Sequence, residues 1–85
     1  MPSLDQLRVG QRACIESIHG SDVIAQRLLE MGLLEGEHVE IIGVAPLGDP
    51  MEIRINDYRL SLRRTEAARV HVKSEPVHVK SEPEA

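Results

Sequence analysis

Residues 27–72 read RLLEMGLLEGEHVEIIGVAPLGDPMEIRINDYRLSLRRTEAARVHV and carry most of the information about the fold. A helical pattern ends at Gly32, and apolar and polar residues then alternate in short runs separated by Gly, Pro, Asn and Asp. Alternation with a period of two is typical of strands that bury one face. This stretch therefore predicts a small, mainly β domain with one helix at its start.

Five short strands follow from the alternation. They are predicted at residues 11–18, 38–44, 51–55, 58–63 and 69–72. The apolar side chains expected to face inward are Ala13, Ile15, Val39, Ile41, Met51, Ile53, Ile55, Leu60, Leu62, Val70 and Val72. Ile42 and Val44 interrupt the pattern, which indicates either a bulge at Gly43 or partial burial of both strand faces.

One helix is predicted between the first two strands, over residues 23–31. Either Ser21 or Asp22 is suited to be its N-cap. The face that helical spacing turns toward the sheet comprises Ile24, Leu28 and Met31, with Ala25 and Leu29 beside them. Gly32 follows at the position where a helix end needs a left-handed residue, so a β-branched replacement there is expected to be costly.

Turn residues separate these elements. Thr65 is suited to cap a single helical turn before the last strand, and Asn56 and Asp57 suit the positive-φ positions of a tight hairpin. The other turn positions predicted to depend on Gly or Pro are Gly32, Gly36, Pro46, Gly48 and Pro50. The whole pattern describes a small SH3-like β-barrel of about five strands, with one α-helix after the first strand and a short helical turn before the last.

The composition limits the class of protein. A chain of 85 residues forms one domain. Its single cysteine, Cys14, has no internal disulfide partner, which favours a reducing compartment. No signal-peptide pattern follows Met1, and no apolar run approaches the roughly 20 residues of a membrane span. We therefore expect a cytoplasmic protein without direct membrane insertion.

Charge and aromatic content argue against two kinds of ligand. The net charge is −4, whereas proteins that bind nucleic acid usually carry a basic footprint, so nucleic acid is not expected as a partner. Grooves that bind proline-rich peptides need several aromatic side chains. Tyr58 is the only aromatic residue of the chain, so this ligand is not expected either.

The C-terminal sequence contains a duplication. The heptapeptide VHVKSEP occupies residues 70–76 and recurs at 77–83. Its Lys, Ser, Glu and Pro content favours a disordered tail over residues 74–85, following a domain at 1–73. A sharper alternative is that the second copy replaces the first in register or adds to a neighbour's sheet edge. The chain is accordingly expected to be a monomer, with weak self-association through the tail as the alternative.

Two segments resemble the FeoA family. They are LLEMGLLEGEHVEIIGVAPLGDPMEIRI at residues 28–55 and LSLRRTEAARVHV at 60–72, with Glu35 at a position where the family more often has Pro. The resemblance implies an SH3-like accessory protein of bacterial ferrous iron uptake that binds the cytoplasmic side of FeoB, a membrane transporter with a GTPase domain. The same segments also resemble the C-terminal module of DtxR-type metal-dependent repressors, which implies the alternative of a regulatory module that binds a protein partner.

No constellation for catalysis or cofactor binding is present in the sequence. A Ser-His-Asp spacing and a GxxxxGK[ST] loop are both missing, so neither an enzyme nor a GTP-binding protein is expected. His38 and Glu40 could hold a divalent ion together with Glu37. A solvated strand face is the favoured interpretation, so no metal site and no cofactor is predicted.

The candidate contact residues for a partner are four arginines and one leucine, namely Arg54, Arg59, Arg63, Arg64 and Leu47. The arginines could form a basic patch that meets an acidic surface, or weak ion pairs with Glu40, Glu52 and Glu66. A less favoured hypothesis makes one of them an arginine finger that acts on a GTPase in trans. Leu47, between Pro46 and Gly48, could anchor a partner or fold back over the end of the barrel.

Overall fold

The computed structural model describes residues 2–74, which form five strands and two helices. These are β1 (Arg12–Ile18), α1 (Val23–Glu30), β2 (His38–Val44), β3 (Met51–Ile55), β4 (Tyr58–Leu62), α2 (Arg64–Ala67) and β5 (Val70–Ser74), with a 3-10 turn at Leu4–Gln6. All paired strands are antiparallel, in the order β4-β3-β2-β1-β5. The mainly β fold with its helix after β1 and its short helix before β5 is thus confirmed.

The two ends of the sheet are not joined. Within residues 2–74, no ladder connects β4 to β5, so hydrogen bonds do not close the barrel that the sequence predicts. Helix α2 lies in the connection between these two strands, as the sequence predicts. Residues near the N-terminus run beside β5 instead. The Val72 N–H donates to the Pro2 carbonyl at 3.0 Å, and Ser3 forms an isolated bridge with His71.

The core is entirely aliphatic. Its buried side chains are Leu4, Leu7, Ala13, Ile15, Ala25, Leu28, Leu33, Val39, Ile41, Met51, Ile53, Ile55, Leu62, Ala67, Val70 and Val72. No polar or charged residue between positions 2 and 73 is buried with them. Layers of branched side chains fill the small interior without an aromatic ring, as the alternation predicts.

Strands β1 and β2 each contain a bulge, which changes the side of the sheet to which the following residues point. Ile41 pairs with Ile53, and Gly43 pairs with Glu52, so Ile42 is an extra residue in β2. This confirms the bulge predicted at Gly43. A second bulge, not foreseen, lies in β1 between Ile15 and Ser17. It lets Ile18 pack against the same core as Ile15, although an uninterrupted strand would point residues three apart to opposite faces.

Helix α1 packs on a narrower face than predicted. Asp22 is its N-cap, with the side chain accepting the Ala25 N–H at 3.2 Å. Ala25 and Leu28 are buried, but Ile24 is 36% exposed. Met31 packs against the core and Leu29 is exposed like Ile24, so the predicted face is confirmed for Ala25, Leu28 and Met31 and is wrong for Ile24 and Leu29. The helix has eight residues, and a face this short makes its central contact through one small and one large side chain.

Two turn assignments also need correction. Asn56 has a φ of 55°, whereas Asp57 is not among the described residues with positive φ, so only one of the two takes the left-handed position. Helix α2 begins before Thr65, and Arg63 is its N-cap. The Arg63 N–H donates to Glu66 Oε1 at 2.9 Å. The glutamate three residues ahead thus fixes the start of the helix in the way half of a capping box does, and Thr65 lies inside it.

Asp22 also ties α1 to the start of β5. Arg69 Nη1 donates to Asp22 Oδ1 at 2.5 Å. This hydrogen bond lowers the pKa of Asp22 below its ordinary value of 3.8, and the hydrogen bond from the Ala25 backbone lowers it further by a smaller amount. Both bonds favour the charged carboxylate.

Asp22→Asn is expected to lower the stability near neutral pH and to reduce its dependence on acid. Asn still caps a helix, but its side chain is neutral and therefore forms no ion pair with Arg69. Because the folded pKa of Asp22 lies below the unfolded one, its contribution is complete above the ordinary value of 3.8 and is lost as the pH falls through the folded pKa. Urea unfolding of both proteins near neutral pH and near pH 2 measures this effect. A stability difference that stays constant between the two pH values would contradict it.

Candidate functional site

The loop at residues 45–50, here called the proline loop, presents an apolar side chain to solvent. The Gly48 N–H donates to the Ala45 carbonyl at 2.7 Å, and the Ala45 N–H donates to the Pro50 carbonyl at 3.0 Å. The Asp49–Pro50 peptide is cis. Leu47 lies at the tip of the turn and is 96% exposed, so the alternative in which it folds back over the barrel end is wrong.

Arg64 holds the proline loop in place. Its Nη1 donates to the Gly48 carbonyl at 2.9 Å and its Nη2 donates to the Asp5 carbonyl at 2.8 Å. The Arg64 backbone N–H adds a hydrogen bond of 3.1 Å to Asp49 Oδ1. A planar guanidinium can satisfy two carbonyl groups at once, so one side chain joins the N-terminal turn to the loop. Arg64 therefore supports the structure of the loop, and a contact between Arg64 and a partner stays a prediction.

Three other arginines lie at paired positions on neighbouring strands of the sheet. Arg12 of β1 lies opposite Glu40 of β2, Glu40 lies opposite Arg54 of β3, and Arg54 lies opposite Arg59 of β4. These four residues form a row across the solvent-facing side of the sheet, here called the arginine row. It contains three positive charges and one negative charge on an otherwise acidic protein.

Weak ion pairs hold parts of the arginine row. Arg54 approaches Glu40 at 3.9 Å, and Arg59 approaches Glu52 at 3.8 Å. All four side chains are substantially exposed, so these pairs contribute little to stability. The predicted pairing with Glu40 and Glu52 is thus seen, while the charge of the row remains accessible to a partner.

Arg63 follows the end of β4 and is the N-cap of α2. It lines a groove beside the proline loop, together with Arg27, Asp49, Pro50, Ser61 and Glu66. Glu66 approaches Arg27 at 4.0 Å and also accepts the Arg63 backbone N–H. The structure therefore does not bring the four predicted arginines together. Two lie in the row, one lines the groove, and one holds the loop.

Potential metal ligands are dispersed. Among residues 2–74, no group of three or more His, Cys, Asp and Glu side chains is arranged to hold a metal ion. His38 and Glu40 share the outer face of β2, where Glu40 belongs to the arginine row. His38 lies directly opposite Cys14 of β1.

Sequence reasoning missed two functional or structural contacts. Arg12 joins the arginine row only because β1 pairs with β2 in a particular register, which the alternation pattern does not specify. Tyr58 donates a hydrogen bond of 2.7 Å from its hydroxyl to the Met31 carbonyl, at the end of α1. The only signal for this contact in the sequence is the isolated aromatic residue itself.

The domain has close counterparts among known proteins. A family model described as the FeoA domain matches residues 3–74, which is nearly the whole described region. The chain belongs to the FeoA family. A Stenotrophomonas maltophilia FeoA solved with zinc, and described as an SH3 domain protein, is 35% identical with a TM-score of 0.76, over 86% of this chain and 91% of that one. The predicted family and fold class are thereby confirmed.

A second relative joins this domain to a transporter. It is an Fe(2+) transport protein A/Fe(2+) transporter FeoB fusion protein of Porphyromonas gingivalis, 41% identical over 70 residues. The match covers 82% of this chain but only 8% of the fusion protein. The present FeoA domain therefore corresponds to a small part of that longer polypeptide.

A repressor shares the fold at low sequence identity. A manganese-dependent transcriptional repressor solved with manganese has a TM-score of 0.80 at 14% identity, covering 87% of this chain and 36% of that one. At this identity the likeness concerns the fold alone. It does not bear on what this FeoA chain does.

The two helices are both short. Neither has the length and hydropathy of a membrane-crossing helix within residues 2–74.

Proposed function

We propose that this chain is a non-enzymatic accessory protein of ferrous iron uptake that binds the cytoplasmic face of a FeoB-like membrane transporter. The observation that carries the proposal is the relative in which a matching segment and FeoB share one polypeptide. Fusion of two modules keeps them at a high effective concentration, which is useful when they act together. Between separate polypeptides, the same association has to come from a binding surface.

The proline loop is the proposed anchor of that surface. Leu47 is almost fully exposed, yet its loop is fixed by Arg64 and by two internal hydrogen bonds. Because the backbone of the loop is already fixed, binding through Leu47 loses little backbone conformational entropy. The Leu47 side chain can fill a pocket on a partner, and such central anchors dominate the energetics of many interfaces.

The arginine row is proposed to orient the encounter. Its exposed charges would attract an acidic surface of the transporter and raise the association rate, with less influence on the final affinity. Arg63 forms no ion pair within the described residues and is the candidate for a contact in trans with the GTPase domain. The row and the groove thus make separable contributions, one to docking and one to any effect on GTP hydrolysis.

Titration of the detergent-solubilised transporter with the purified protein, with the GTPase rate measured alongside, tests the function. Binding with a changed rate supports a regulator, and binding without a change supports an assembly factor. Arg54→Ala and Arg59→Ala should reduce the association rate, whereas Arg63→Ala should affect only the GTPase rate if that residue contacts the GTPase domain. No binding in any nucleotide state would overturn the proposal.

Leu47→Ala is expected to weaken transporter binding by about 10-fold or more, because burial of a leucine side chain contributes roughly 1.5–3 kcal/mol. The thermal midpoint of the free protein should not change, since the side chain is 96% exposed. Leu34→Ala is the matched control, as Leu34 is an exposed leucine outside the proline loop. Equal binding by the Leu47 variant and the wild-type protein would exclude the loop as the anchor.

A further inference from the structure

The strand at the end of the described region has a second copy of its own sequence. β5 comprises Val70–Ser74, the first five residues of the heptapeptide VHVKSEP. The same five residues recur at 77–81. Residues 75–85, which include this second copy and all of the predicted tail except Ser74, lie outside the part of the chain that the structure describes; Ser74 is the last residue of β5.

The contacts of β5 depend on side chains that the second copy also provides. Val70 and Val72 are fully buried, opposite Ile18 and Ile15 of β1. His71 stacks on His19, with ring centroids 5.7 Å apart. A strand with Val77, His78 and Val79 in these places would present the same groups to the same neighbours.

The second copy could also form the backbone hydrogen bonds that β5 makes. β5 pairs with β1 from Ile18↔Val70 to Ala13↔Ser74, and the Val72 N–H donates to Pro2. Backbone groups carry no sequence information, so a strand shifted by seven residues would form the same ladder. Because residue types repeat, the shift does not turn apolar side chains to the solvent face, which is the usual cost of a register slip.

From these observations we propose that Val77–Ser81 is a competent replacement strand for β5, able to occupy its position against β1 of the same molecule. The two copies differ only in their connection to the domain. Arg69 is held by Asp22, and its carbonyl accepts the His19 N–H at 2.7 Å. The first copy continues directly from Arg69, whereas use of the second copy leaves residues 70–76 as a loop.

The loop explains why the first copy forms β5 in the wild-type protein and why the second is still usable. Closing a surface loop of seven residues has a modest entropic cost, which grows slowly with length. Pro76 and the neighbouring Ser and Glu are compatible with a loop. Deleting residues 70–76 or residues 77–83 gives the same polypeptide. The side chains of the two copies are therefore equally suited to the position of β5. What remains to be tested is whether the chain between Arg69 and Val77 can form the loop.

The test places a charge in one copy at a time. Val72→Asp makes the first copy unfit for the core, because Val72 is fully buried. The full-length variant should keep a cooperative thermal transition with a lowered midpoint, since Val79 takes the buried place. Val79→Asp alone should match the wild-type protein, and Val72→Asp combined with Val79→Asp should lose the cooperative transition.

Two further measurements make the outcome decisive. In folded Val72→Asp protein, cross-strand nuclear Overhauser contacts between Ile15 and Val79 should be observed, and the mass measured by light scattering should be that of a monomer. A Val72→Asp protein that unfolds as completely as the double variant would overturn the proposal. A folded dimer would also overturn it, because the replacing strand would then come from a second molecule.

Discussion

Gly32→Ala is expected to lower the free energy of unfolding by about 3 kcal/mol, the largest effect of a single methyl group in this domain. Two separate causes add. Gly32 has a φ of 101°, in the left-handed region that costs other residues roughly 1–2 kcal/mol. A Cβ atom there would also overlap the Tyr58 hydroxyl oxygen, and relief of such overpacking costs about 1–3 kcal/mol.

Gly36→Ala is the matched control for the first cause. Gly36 has a φ of 91°, but no atom lies within 4 Å of the place that a Cβ would take, so this variant should lose only the conformational part, about 1 kcal/mol. Urea unfolding of both variants measures the difference. Similar losses for the two variants would show that contact with Tyr58 does not matter.

Tyr58→Phe isolates the second cause. Alone, it removes the hydrogen bond to the Met31 carbonyl and should cost about 1 kcal/mol. Combined with Gly32→Ala, it also removes the overlapping oxygen and leaves the ring carbon Cζ at an ordinary 3.6 Å. The double variant should therefore be more stable than the sum of the two single losses predicts.

Arg64→Ala is expected to cost about 2 kcal/mol of stability, because it removes two charge-assisted hydrogen bonds at an exposed site. One of these bonds joins residues 59 positions apart in sequence, so its loss separates the N-terminal turn from the proline loop. Amide hydrogen exchange at Gly48 should become faster, since the turn loses its external support. Transporter binding should also weaken, because the loop that presents Leu47 is less well fixed.

Arg63→Ala is the control for Arg64→Ala. It removes the same kind of side chain at the adjacent position, but the Arg63 guanidinium makes no ion pair with residues 2–74. Its effect on stability should stay within about 0.5 kcal/mol. Arg64→Lys keeps the charge but cannot bond both carbonyls in one plane, so it should resemble the alanine variant. Full stability of the lysine variant would mean that charge alone, and not the fork geometry, holds the loop.

The parts of the fold that depend on local pattern could be predicted from sequence. Alternation located all five strands, and the left-handed residue at Gly32 followed from the end of the helical pattern. Even the bulge beside Gly43 was visible, because Ile42 interrupts the alternation. Each of these features is determined by residues within a few positions of one another.

The candidate site could be predicted only in part. Leu47 was identified because its neighbours Pro46 and Gly48 require a turn, and the structure shows it exposed. The division of the arginines was not predictable, because the carbonyl groups that engage Arg64 belong to Gly48 and Asp5, 16 and 59 residues away. Whether these residues bind a transporter stays a prediction.

The start of α2 shows a different source of error. Thr65 has a common capping side chain. The backbone N–H of Arg63, however, is satisfied by the side chain of Glu66, three residues further along the chain. Cap propensity describes one residue, whereas the reciprocal contact depends on the pair. A search for both partners, rather than for the best single residue, would have placed the helix start correctly.

Tyr58 has a practical consequence for optical measurements. The chain contains no Trp and no Phe, so this one ring is the source of its aromatic absorption, circular dichroism and emission. The ring is 42% exposed and its hydroxyl is bonded to the end of α1. Near-ultraviolet signals therefore follow the junction of α1 and β4 and not the aliphatic interior. A ligand or partner that moves this junction would be visible without any label.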